Sequence, residues 1–147
     1  MVGCNSRLDT LQAAVLEIKL KHLDEYIDAR RTAADFYDNA FKNHPKIKIP
    51  YRADYCKHVF HQYTLILEGI DRNELHAYLA DRKIPSMIYY PVPAHRQKMF
   101  AQFNSSSVNL PNTDWLTERV ISLPMHTEMD EEQIHFITSS VLNFANQ

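Results

Sequence analysis

Glycine is nearly missing from this chain: Gly3 and Gly69 are the two that occur in 147 residues. A loop that cradles phosphate needs backbone amides to approach the anion without a Cβ in the way, so the chain carries no P-loop and no dinucleotide fingerprint of its own. Cysteine is as scarce. Cys4 and Cys56 stand singly and far apart, which suits ordinary thiols in a reducing compartment better than a disulfide framework or a zinc site with paired ligands. No stretch approaches the roughly 20 apolar residues of a membrane helix, and the opening MVGCNSRLD has neither a basic n-region nor an apolar h-region. A cytoplasmic chain without a membrane partner is expected. Charge of one sign is also lacking, since 16 basic residues balance 18 acidic ones for a net charge of −2, which leaves no electrostatic footprint for nucleic acid. No serine sits in a G-x-S-x-G elbow, so a hydrolase of that type is excluded.

What is present is a core-forming pattern. With 45% hydrophobic residues and no Gly/Ser linker, the chain reads as one domain. Leu8, Leu11, Val15, Ile18, Tyr26, Ala33, Tyr37 and Phe41 recur at helical spacing and predict a long, kinkable helix over 6–43, capped by Asn5 or Ser6, with Asp9 suiting the positive end of its dipole. Residues 47–49 predict a short strand and 59–67 a firmer one, rich in β-branched and aromatic side chains. Asp71 should cap a helix that stops near Lys83, residues 87–90 should form a third strand, and Pro91 and Pro93 turn the following segment into a loop. Residues 96–103 have helical potential, 104–112 read as a surface loop, and helices are expected over 113–122 and 130–144, the last capped by Asp130. The order predicts an α+β fold: a small antiparallel or mixed sheet with packed helices and a long N-terminal helix.

Eight histidines raise the question of a metal. His58 and His61, read as lying before and within a strand, would face opposite sides, and no metal site is expected. Two segments are unusual for a plain domain. Asn5 and Arg7 gather at a helix start, where the free backbone N–H groups attract anions, although on physics alone capping is the better account of them. In MIYYPVPAH the adjacent Tyr89 and Tyr90 leave a strand for a proline-stiffened loop that also carries His95, so at most one of the tyrosines is committed to the core.

The stretch GCNSRLDTLQAAVLEIKLKHLDEY resembles the G-x-N-x-R-L-D-x-x-Q-A-A-x-L signature of the DegT/DnrJ/EryC1/StrS aminotransferases, and VFHQYTLIL, IPSMIYYPVPAH and VISLPMHTEMDEEQI resemble three later blocks in the same order. The resemblance implies the small carboxyl-terminal domain of a fold-type I enzyme that uses pyridoxal 5'-phosphate to aminate nucleotide-linked keto-sugars. It implies a homodimer whose large, cofactor-binding domain, with the catalytic lysine, lies upstream of these residues. None of the eight lysines here falls in the family's lysine motif, so no catalytic residue and no cofactor are expected on this chain alone. By resemblance Asn5 reaches the cofactor phosphate of the neighbouring subunit. Arg7, Tyr89, Tyr90 and His95 meet the nucleotide-sugar, Tyr89 standing where many relatives have histidine. Two classes follow: part of a sugar-aminating enzyme, or a freestanding non-catalytic interaction domain of the same descent.

Overall fold

The computed structural model describes residues 6–103 and 107–147. The expected long helix is two: α1 (Thr10–Leu20) and α2 (Leu23–Phe41), separated at Lys21 and His22. Asp9 is not merely a favourable charge but the cap, its carboxylate accepting from the Gln12 amide at 2.8 Å. The two helices differ in burial. α2 buries Ala33, Ala34, Tyr37 and Phe41, whereas α1 buries nothing and leaves Leu11, Ile18 and Leu20 more than 60% exposed, as is Leu8 just before it. Helical periodicity in α1 therefore reports an apolar surface, not a share of this core.

Three strands form one antiparallel sheet in the order β1 (Ile47–Lys48), β2 (Tyr63–Leu67) and β3 (Val120–Leu123). β2 is shorter than its apolar run because the carbonyls before it are claimed elsewhere: Arg30 donates to Phe60 O and His61 O, and Arg31 to His58 O. Phe60 itself has a positive φ of 48°, which takes the chain out of extended geometry. β3 corrects the expected helix over 113–122. Helix α4 (Pro111–Thr117) stops early, and Val-Ile-Ser-Leu pairs with β2 in the register Tyr63↔Leu123, Thr64↔Ser122, Leu65↔Ile121 and Ile66↔Val120. The strand expected over 87–90 also fails to form; Met87 alone makes an isolated bridge to Ser122. Trp115 and Leu116, expected inward, are 39% and 38% exposed, with the Arg119 guanidinium 4.9 Å above the Trp115 ring.

α3 (Arg72–Asp81) is capped by Asp71, whose Oδ1 accepts from the Asn73 and Glu74 amides. α5 (Glu131–Ala145) opens with a capping box between Asp130 and Gln133. The core lies on one face of the sheet. Tyr63, Leu65, Leu67, Ile121 and Leu123 pack there against Phe41, Leu75, Leu79 and Val141. Two buried phenols carry polar ties into it: Tyr37 donates to Pro124 O at 2.9 Å and Tyr63 to Asp38 Oδ1 at 2.6 Å. Burial pushes both hydroxyls well above the ordinary tyrosine range, and for Tyr63 the bond to the Asp38 carboxylate adds to the shift. The alternate register positions Thr64, Ile66, Val120 and Ser122 face the other way, and that second face positions the site.

Candidate functional site

A cleft of about 410 Å³ opens on the second face of the sheet, at the start of β3. One wall is the loop after Met87, presenting Tyr89, Tyr90 and Gln97; the other is α4 with Thr113, Leu116 and Thr117; Val120 lies between them. The prolines explain the first wall. Pro91 and Pro93 supply no backbone N–H, so the chain cannot stay beside β3 and instead turns through two short 3₁₀ helices, Ala94–Arg96 and Lys98–Phe103. Tyr89 is 38% exposed and Tyr90 70%, their rings edge to face with centroids 5.8 Å apart across a cis peptide bond. Tyr89 also lines a second hollow of about 280 Å³ with Met87, Ser122, His61 and His126, so the two hollows share this residue.

The two walls of the larger cleft are tied together from behind. His95 is buried, its Nε2 a long 3.4 Å from Asp114 Oδ1 on α4, while Arg96 donates to Asp114 Oδ2 at 2.5 Å. The same His95 nitrogen lies 3.4 Å from Arg96 Nε. One ring nitrogen cannot donate to the carboxylate and accept from the guanidinium at once. Donation to Asp114 serves both residues, since Arg96 already has Oδ2. Asp114 thus holds the loop against the helix that carries Thr113 and Thr117.

The sequence-predicted residues are not all gathered here. Tyr89 and Tyr90 line the cleft together; His95 sits behind its wall and does not line it; Arg7 is exposed ahead of α1 and does not line it either. Asn5 lies outside the described residues. Gln97, Thr113, Leu116 and Thr117 are lining residues that the sequence reading missed, because a helix carried through to Ser122 places Leu116 in a core. Val-Ile-Ser-Leu before Pro124 does not alternate, so the sequence alone offered no signal that a strand begins at Val120. His58 and His61 correct a further expectation: the segment is not a strand there, and both histidines line one shallow hollow with Pro50, Gln62 and Thr64. Among the described residues no three His, Cys, Asp or Glu side chains come together as a metal site requires. No helix among them is long and apolar enough to cross a membrane.

The sequence pattern of the DegT/DnrJ/EryC1/StrS aminotransferase family matches residues 1–142. The chain belongs to this family. A UDP-N-acetyl-3-dehydro-alpha-D-glucosamine 3-aminotransferase of Acidithiobacillus ferrooxidans is 41% identical over 143 residues, which are 96% of this chain and 37% of that protein. The crystal structure of DesV from S. venezuelae, in complex with a ketimine intermediate, superposes with a TM-score of 0.90 at 33% identity, covering 100% of this chain and 39% of that one. A Bacillus subtilis structure with bound cofactor PMP, 25% identical, gives a TM-score of 0.87 over 99% of this chain and 34% of its own. The DegT/DnrJ/EryC1/StrS fold is therefore present over essentially the whole chain, and the chain spans less than two-fifths of the length of these relatives.

Proposed function

We propose that these residues are the carboxyl-terminal small domain of a pyridoxal-phosphate-dependent aminotransferase acting on nucleotide-linked keto-sugars, in the biosynthesis of amino sugars or cell-surface polysaccharide. The observation that carries the reading is coverage: relatives with aminotransferase names match nearly the entire chain with little more than a third of their own length. A large domain is then expected to precede it, and the complete enzyme to work in the cytoplasm as a homodimer.

The described residues do not fit the cofactor as a whole. Its phosphate is a dianion and its aldehyde needs a lysine, yet no lysine, arginine or histidine lines the cleft among the described residues. Four of the eight lysines are engaged elsewhere: Lys42 with Asn39, Lys46 with Ala145 O, Lys48 with Glu68 and Lys57 with Asp28. No chemical step is assigned to this chain. Its part is to bind and orient. In this reading Asn5 donates to the cofactor phosphate of the neighbouring subunit and Arg7 pairs with the substrate diphosphate, where a planar guanidinium fits best. Tyr90 and Tyr89 offer hydroxyls to the sugar nucleotide, Tyr90 being the freer of the two. His95 serves the substrate through the wall it anchors.

The test is reconstruction. Joined to its large domain, the chain should convert a keto-sugar nucleotide to the amino sugar with glutamate as donor, and the 147 residues alone should not. An inactive joined protein whose cofactor site is filled would overturn the proposal and favour a freestanding interaction domain.

A further inference from the structure

Helix α3 ends on a turn that ordinarily belongs to glycine. The Ile84 N–H donates back to Leu79 O at 2.9 Å and the Lys83 N–H to Ala80 O at 3.0 Å, the paired closure that places the residue after the helix in the left-handed region. That residue is Lys83, with φ at 61°, where a Cβ crowds the backbone and glycine would not. Its side chain does nothing for the fold: Lys83 is exposed, and its ammonium makes no ion pair or hydrogen bond among the described residues.

Lys83 lines a hollow of about 220 Å³ between the turn after α3, the loop after β3 and the first turns of α5. Ile84, Met129, Phe136 and Ile137 make most of its wall apolar, with Phe136 standing 52% exposed. Its polar side chains are three: Lys83, His126 and Gln133. Gln133 Oε1 already accepts from the Asp130 N–H in the capping box, which leaves the carboxamide NH2 to donate. His126 Nδ1 accepts from the Glu128 N–H at 3.2 Å, which places the ring hydrogen on Nε2. Lys83 has donors only. Glu128 meets the histidine ring at Nδ1, 3.6 Å away, and no Asp or Glu lines the hollow.

An apolar hollow whose polar side chains can only donate calls for a ligand that only accepts. We infer that it binds a small free carboxylate carrying one apolar group, an aryl or branched-alkyl acid. An ionised carboxylate accepts through both oxygens and has no hydrogen to give, and the Lys83 ammonium supplies the opposite charge. The volume sets the size: about 220 Å³ lies below the usual range for drug-sized ligands, so a single ring or one branched chain fills it. An inorganic anion lacks the apolar half, and a neutral hydrocarbon would leave the donors unpaired. The hollow shares no residue with the cleft between the tyrosine loop and α4.

The experiment is an amide-resolved NMR titration of the 147-residue chain with phenylacetate, phenylacetamide and acetate. Phenylacetate should shift the amides of Lys83, Ile84, Gln133 and Phe136 saturably, with a Kd of about 1 mM or tighter. Phenylacetamide has the ring without the charge and acetate the charge without the ring, and each should bind at least about tenfold more weakly. No saturation by phenylacetate below about 10 mM, or either control binding as well as it does, would overturn the assignment. Lys83→Gly separates the ligand from the fold. It should weaken phenylacetate binding by about tenfold or more yet leave the melting temperature unchanged or higher, because glycine takes the left-handed turn without strain. Undiminished binding, or a lower melting temperature, would show that Lys83 is not held there for an anion.

Discussion

Replacing Asp114 by alanine removes a side chain that ties the tyrosine loop to α4, and its cost divides into two unequal parts. Arg96 is 59% exposed, so its ion pair with Asp114 contributes no more than about 1 kcal/mol despite the short contact. The side chain of His95 is 7% exposed, and without the carboxylate its ring N–H is left buried and unpaired. That desolvation ordinarily costs about 1–3 kcal/mol, and the 3.4 Å separation argues for the lower half of the range. Because the three residues form one network, the two parts do not simply add. A total near 1.5 kcal/mol is expected, which lowers the melting temperature of a domain this size by about 3–6 °C. Arg96→Ala should cost less than half as much. The assay is urea unfolding of both variants beside the parent. If Arg96→Ala proves as costly as Asp114→Ala, or Asp114→Ala lies within about 0.5 kcal/mol of the parent, the buried histidine is not the anchor and the reasoning fails.

Leu79 is fully buried, so Leu79→Ala should destabilise by about 2–5 kcal/mol, whereas Leu11→Ser, at a position 82% exposed on α1, should leave urea stability within about 0.5 kcal/mol; equal effects would mean that α1 packs on this core. Asp130→Ala removes the capping box of α5 and should cost about 1 kcal/mol in the same assay, with no loss counting against the cap. The isolated chain should self-associate and bind a hydrophobic dye through α1, both reduced by Leu11→Ser with Ile18→Ser; a strict monomer in light scattering without dye binding would contradict this. In the complete enzyme Asn5→Asp should lower cofactor affinity by about tenfold or more through repulsion of the phosphate, and unchanged affinity in a cofactor titration would contradict a phosphate contact by Asn5.

Elements were legible in the sequence wherever one physical signal dominated. Asp71 and Asp130 combine a capping carboxylate with a following apolar face, and α3 and α5 begin where those residues require. β2 was legible from Tyr63 onward, where apolar and less buried positions alternate. Its false start at Val59 was not, because tertiary contacts from Arg30 and Arg31 decide which carbonyls remain for pairing. β3 is the instructive miss. Trp115, Leu116 and Val120 fit a helical face, and a four-residue apolar run carries no period of its own until its partner is known. The same miss hid half of the cleft, since Thr113, Leu116 and Thr117 line it only because α4 ends at Thr117 and the chain turns into the sheet. The α1–α2 break at Lys21 and His22 has no glycine or proline to announce it. Pro91 marked where the segment becomes a loop, but the strand expected over 87–90 to carry the tyrosine pair is absent apart from the Met87 bridge. His95 was read as a contact for its chemistry, and its burial against Asp114 depends on a residue 19 positions away in the chain.

The central claim, that these residues serve a cofactor held by another domain, is met most directly by the visible spectrum of the chain mixed with pyridoxal phosphate, followed by borohydride reduction and mass spectrometry. The chain alone should show only free cofactor and scattered, substoichiometric labelling among its eight lysines, and joined to its large domain it should label stoichiometrically on a lysine of that domain. One-to-one labelling of a single lysine within these 147 residues, with turnover of a keto-sugar nucleotide, would contradict the account.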